Sequence, residues 1–220
     1  MIPFVDIHTH LPKVAQGVVS VQNFTQNDLY TEGGQNASVG LHPWFLTKEN
    51  VEQDFKTLSK RAMQPNVVAI GECGLDRLRG ESLAFQTQVF EQHIRLAEQV
   101  QKPVIIHCVR AFNEVVAVKR RMNPRVPLLI HGFHKNETIL QDLLRHGFYI
   151  SVGAAILRGG HNAHDAFKHI PIDRLFLETD DADVPIERIY AAYATLTGIG
   201  LMDLKEHIYQ RFASLFLSHA

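Results

Sequence analysis

Short apolar runs alternate with longer amphipathic segments along most of this chain. Eight runs read as strands: Phe4–His8, Val18–Val21, Ala37–Leu41, Val67–Gly71, Val104–His107, Leu128–His131, Phe148–Ser151 and Leu175–Glu178. Most are continuously apolar rather than alternating, the pattern of strands covered on both faces. The clearest helix covers Ser82–Gln101, where Phe85, Val89, Leu96 and Val100 make one stripe joined by Phe90, Ile94 and Ala97. Pro103 then stops it and opens the next strand. Further helices are predicted over Glu49–Arg61, Phe112–Arg121, Glu137–His146, Ile186–Leu196 and Met202–Phe216. Strand–helix alternation argues for an α/β fold, and eight strands suggest a TIM-type (β/α)8 barrel. His10 and Val18 are too close for a helical crossover. The Val18 strand is therefore expected to run antiparallel or to stand outside the barrel, which is shortened and irregular near its first strands. With no repeat, linker or low-complexity segment, residues 1–220 read as one domain.

Polar residues fall at the ends of these runs. In Asp6-Ile7-His8-Thr9-His10, the two histidines point to one face of a strand and offer a chelating pair to a first-row metal. The Val67 run leads to Glu72, the Val104 run to His107, the Leu128 run to His131 and the Leu175 run to Asp180. In a barrel these strand ends converge on one face, where active sites are built. A carboxylate or imidazole aimed into that mouth is costly unless paired or coordinated, and metal ions would compensate all six. The other histidines fit this pattern less well. His161 and His164, in the glycine-rich stretch Arg158–His164, read as surface loop residues. His93, His146, His169, His207 and His219 read as surface or packing residues on or beside helices.

Composition narrows the classes. Of 220 residues, 45% are hydrophobic and 20% charged, as in a globular protein able to bury its own core. The formal net charge of −1 gives no global attraction to nucleic acid, so a phosphate-bearing substrate must be held by local charge. Two cysteines, Cys73 and Cys108, make no disulfide scaffold, and alternation turns both away from the neighbouring ligands Glu72 and His107. No signal peptide and no membrane-spanning run is legible, so a cytoplasmic protein with no membrane partner is expected.

The blocks Asp6–Leu11, Gly40-Leu41-His42-Pro43, Ile70–Asp76, Pro103–His107, Ile130–Phe133 and Glu178-Thr179-Asp180 follow one another in an order that resembles the TatD family of metal-dependent hydrolases, many of them deoxyribonucleases. The resemblance implies two divalent cations, with Zn, Mn, Co, Ni or Mg as candidates. Imidazole ligands favour the first four. It also implies that His8 and His10, with Asp180, hold one cation, that His107 and His131 hold the other, and that Glu72 bridges them. Asp180 and Glu72 are then the catalytic residues, with Asp180 orienting or deprotonating the attacking water. Asp6 could fix the tautomer of a liganding imidazole. His42, Arg110 and His134 are candidate contacts to a phosphate-ester substrate, DNA or a short nucleotide. The chain departs from the family in a short stretch between His10 and Gly40 and in lacking the basic, proline-rich loop after Asp180. Beyond Arg77, Arg79, Arg110, Lys135 and Arg158, the sequence shows no basic, aromatic track for a long polyanion. Two other functions remain open. One is an amidohydrolase-like enzyme cleaving a C–N or C–O bond, against which stands the lack of a lysine at the strand ends. The other is a non-catalytic metal-binding barrel.

Overall fold

The computed structural model describes residues 2–11, 15–30, 34–158 and 161–217, with His161 and Asn162 described in backbone only. Eight strands form one sheet in sequence order: β1 (Phe4–Thr9), β2 (Val18–Phe24), β3 (Ala37–Val39), β4 (Val67–Asp76), β5 (Val104–Val109), β6 (Leu128–Ile130), β7 (Tyr149–Val152) and β8 (Leu175–Leu177). This is the strand order of a (β/α)8 barrel. The helices are α1 (Val51–Ala62), α2 (Leu83–Val100), α3 (Phe112–Met122), α4 (Glu137–Arg145), α5 (His161–Lys168), α6 (Ile186–Thr197) and α7 (Leu201–Phe212).

Two expectations are corrected. β2 runs parallel to β1, with Phe4 opposite Val18 and Asp6 opposite Ser20, and belongs to the sheet. About eight residues can extend roughly 26 Å, more than the roughly 20 Å of a six-residue strand, so the chain can return without a helix. The stretch read as a surface loop begins α5 at His161, while residues 159–160 lie outside the described residues.

The chain falls into two compact units. One comprises the described residues of Met1–Gln22 and Ile130–Ser218, the other those of Asn23–Leu129. In the first, Val5, Ile7, Phe148, Ile150, Phe176, Tyr190 and Phe212 are fully or almost fully buried. Tyr190 on α6 ties down the start of β1, its hydroxyl donating to Val5 O and accepting from Val5 N, both at 3.1 Å. β1 also lies against the segment that follows β8. Asp180 N donates to His8 O at 2.9 Å, and His10 N donates to Asp180 O at 3.0 Å.

In the second unit, β4 is buried along its whole length and pairs with β5 in parallel. Gly71 and Gly74 in β4 have φ of 137° and 140°, and a Cβ on either would stand 2.3 Å from Ile105 O or 2.2 Å from His107 O. Only glycine lets the two backbones approach this closely in that conformation. α2 opens with Ser82 Oγ accepting from Phe85 N, and ends at Gln101 in the left-handed region just before Pro103. Burying a large apolar side chain contributes about 1.5–3 kcal/mol. Each unit therefore has an apolar core of its own.

Candidate metal centre

In the first unit the chemistry gathers at the end of β1. His8 is fully buried, whereas the His10 and Asp180 side chains are each 34% exposed. The Nε2 atoms of His8 and His10 both lie 3.5 Å from Asp180 Oδ1. Asp180 has φ of 55°, a left-handed conformation that costs a non-glycine residue about 1–2 kcal/mol. Its two backbone hydrogen bonds to β1 hold it there and aim the carboxylate at the two imidazoles. His131, just after β6, packs against His8 with ring centroids 4.5 Å apart. One donor atom from each of His8, His131 and Asp180 fits within a 4.8 Å spread. Ligands about 2.0–2.2 Å from a first-row ion stand up to roughly 4.4 Å apart, so the group needs only slight closing to hold one.

Two further carboxylates support this group. Glu178 is fully buried, accepts from Gly132 N at 2.6 Å and places Oε1 3.4 Å from His131 Nδ1. Its Oε2 is buried with no hydrogen-bond partner among the described residues. A buried carboxylate oxygen in that condition is costly, which suits a neighbouring cation. Asp6 accepts from the Thr179 backbone N–H at 2.9 Å and from the Thr179 hydroxyl at 2.6 Å. Burial nevertheless pushes its carboxyl up to about 6. The sequence reading offered Asp6 as a candidate partner of a liganding imidazole; its hydrogen bonds here come from Thr179, with His8 close enough to act on its charge.

The second unit gathers Glu72, His107 and His42. Glu72 is buried, and its backbone N–H donates to Asn23 Oδ1 at 2.7 Å. Its Oε1 stands 2.7 Å from His107 Nδ1 and 3.2 Å from His42 Nε2. The Trp44 backbone N–H donates to His42 Nδ1 at 3.1 Å, so a neutral His42 carries its proton on Nε2 and donates toward Glu72. The other ring nitrogen of His107, Nε2, lies 3.2 Å from Asp76 Oδ2, which also takes the Trp44 indole N–H at 2.5 Å. A carboxylate behind a liganding imidazole sets its tautomer and orientation. Burial works to raise the Asp76 carboxyl, but hydrogen bonds from Trp44, Leu78 and His107 outweigh it and hold the group below its ordinary value.

The structure thus brings His8, His10, His131 and Asp180 together in one unit, and Glu72, His107 and His42 together in the other. His131 sits with His8 and Asp180, whereas the resemblance pairs it with His107. The other two candidates are surface residues. Arg110 is exposed, with its carbonyl bonded to Arg77 Nε at 2.8 Å. His134 is exposed and bonded to Gly132 O and the Lys135 ammonium. Sequence reasoning gave no role to Asp76, Glu178, Trp44 or Asn23. Glu178 carried a signal, since it stands two residues from Asp180. The others depend on partners brought together only by folding. Cys73 is buried with its thiol facing Ile105 O, a packing position.

A family model described as TatD related DNase matches residues 13–217. The chain is 32% identical over 195 residues to the uncharacterized metal-dependent hydrolase YcfH of Escherichia coli K12, covering 81% of this chain and 72% of that protein. It is 37% identical over 148 residues to the 3'-5' ssDNA/RNA exonuclease TatD of Edwardsiella piscicida, covering 66% of this chain and 56% of that protein. The solved structure of YjjV, a TatD homologue from Escherichia coli K12, superposes with a TM-score of 0.81 at 22% identity, covering 97% of this chain and 98% of that one. The fold is thus a TIM-type barrel, and the chain belongs to the TatD family of metal-dependent hydrolases. No helix among the described residues is long and apolar enough to cross a membrane.

Proposed function

We propose that the protein hydrolyses phosphate esters of nucleic acid or nucleotides, with two divalent cations held by His8, His10, Glu72, His107, His131 and Asp180. What supports the reading most is that imidazoles and carboxylates assemble into ligand groups, among them His8, His131 and Asp180 in one unit and His42, Glu72 and His107 in the other. Divalent cations, when bound, acidify water and offset charge on the phosphoryl oxygens. The chain's residues supply the rest. Asp180 reaches solvent, is aligned by its bonds to β1, and is placed to take the proton of the attacking water. Glu72 offers a buried carboxylate already flanked by two imidazoles. His42, held by Trp44 as an Nε2 donor, can point that proton at Glu72 or at a substrate oxygen. Asp76 and Glu178 orient His107 and His131. Glu72 in β4, His107 in β5 and Asp180 after β8 supply the candidate ligands with no lysine among them, which favours this reading over an amidohydrolase-like one.

The direct test is hydrolysis of a chromogenic phosphodiester by the purified protein before chelation, after it, and after return of Mn or Zn. Activity that disappears with chelation and returns with metal supports the proposal. Activity indifferent to chelation, or none in metal-loaded protein, refutes it.

A further inference from the structure

A surface beside Glu72 and His107 has no role in the chemistry above. Pro43–Phe45 forms a single 3-10 turn, and it leaves Trp44 39% exposed and Phe45 43% exposed. Leu78, in the loop after β4, is 59% exposed. Isolated exposed aromatics are ordinary, but here the supporting frame is rigid. The Trp44 indole is fixed by Asp76, and its ring lies 4.8 Å from that of His42, centroid to centroid. Gly80 packs so closely on the turn that a Cβ there would stand 2.2 Å from Pro43 O. Gln86 anchors the loop from below, its amide donating to the carbonyls of Asp76, Arg79 and Glu81. Charge is present as well. The Arg79 guanidinium sits 4.4 Å from the Trp44 ring centroid and makes no ion pair among the described residues, whereas nearby Arg77 is neutralised by Glu114.

We infer that Trp44, Phe45 and Arg79 form a nucleotide subsite, in which a base stacks on the exposed Phe45 ring, with the Trp44 ring standing at 82° to it, and the adjoining phosphate meets the guanidinium. This assignment rests on the phosphoesterase reading above and gives the base of that substrate its place on the surface. Two features favour a nucleotide over a simple phosphate. A base-free ester would leave the aromatic surface wet, and a purely apolar partner would bury the charge of Arg79 without compensation. The shelf joins the ligand group directly, since Trp44 bonds Asp76 and Asp76 faces His107. Stacking on aromatic side chains is indifferent to base identity, so the subsite selects nucleotides without reading sequence.

Trp44 is the one tryptophan of the chain and reports on its own surroundings. Metal-loaded protein is titrated with thymidine 5'-monophosphate and with ribose 5-phosphate, following tryptophan fluorescence. The nucleotide is expected to change the signal and to bind roughly five- to hundredfold more tightly than the base-free sugar phosphate, the range of one stacked base. Phe45→Ala is expected to bring the two affinities together, and Phe45→Tyr to keep them apart. Equal affinities in the unaltered protein, or an undiminished preference in Phe45→Ala, would overturn the subsite. So would a signal that follows protein concentration rather than ligand, which would assign the shelf to contact between copies of the chain. Hydrolysis of a chromogenic phosphodiester, measured in parallel, separates the two claims. Its absence refutes the phosphoesterase reading, while hydrolysis with no preference for a base refutes the subsite alone.

Discussion

Asp180 combines three properties that a proton acceptor needs. It is reachable by water, it is locked in a backbone conformation few residues adopt, and its carboxylate lies beside two imidazoles. Asp180→Asn keeps the shape and removes the basicity. Its kcat on a phosphodiester is expected to fall by about 100- to 10,000-fold, with thermal unfolding almost unchanged. Glu72→Gln is expected to show the same pairing of lost turnover and retained fold; near-normal kcat in either variant would contradict the assigned roles. Asp76→Asn tests the support of His107. The amide can still accept from Trp44 but no longer presents charge to the imidazole. Metal affinity by calorimetry is expected to drop about 10- to 100-fold. The six proposed ligands stood out in the sequence because polar residues closing apolar runs have no cheap reason to be there. Asp76 was not, because its importance comes from Trp44, 32 positions away in sequence.

At the scale of elements, β4 and α2 carry the second unit. Gly74→Ala would place a methyl group against His107 O in a backbone conformation hostile to side chains. A loss of about 2 kcal/mol or more in unfolding free energy is expected from denaturant melts. α2 contributes a buried imidazole that holds no metal role. His93 Nε2 accepts from Leu41 N at 2.9 Å, and its other nitrogen faces Val89 O at 2.8 Å. Burial lowers this histidine to about 4 from an ordinary 6.5. The unfolded chain therefore takes up the proton first as pH falls. Stability from this residue is present above pH 6.5 and is lost on descent through pH 4, in total about 3 kcal/mol. Unfolding free energies measured from pH 7 to pH 4 are expected to slope less steeply in His93→Gln; an unchanged slope would contradict this. The continuous apolar runs made all eight strands readable. The direction of β2 was hidden because the usual need for a helical crossover misleads when a strand is short enough for a direct return. α5 was hidden by the glycines before it and by its polar composition, His-Asn-Ala-His-Asp-Ala-Phe-Lys.

For the whole molecule, ligand groups built beside apolar cores lead to the expectation that the metal-free protein stays folded and that metal adds stability by mass action. Free metal at 100 times its dissociation constant contributes about 2.7 kcal/mol, so Tm is expected to rise with Mn or Zn and to fall back on chelation without loss of the folded baseline. A chain that unfolds when chelated would show the metal to be structural instead. The barrel class could be read from element alternation, but the division into two compact units could not, because it depends on which segments pack together rather than on any break in composition.

On the proposed reading the two groups hold a cation each, which is measured as metal content by mass spectrometry after chelation, reloading and removal of free ion. Two divalent ions per chain are expected in the unaltered protein, with one lost when His8 and His131 are replaced by alanine and one lost when Glu72 and His107 are. A reloaded chain that retains no ion, or that keeps its full complement in both double variants, would contradict the account.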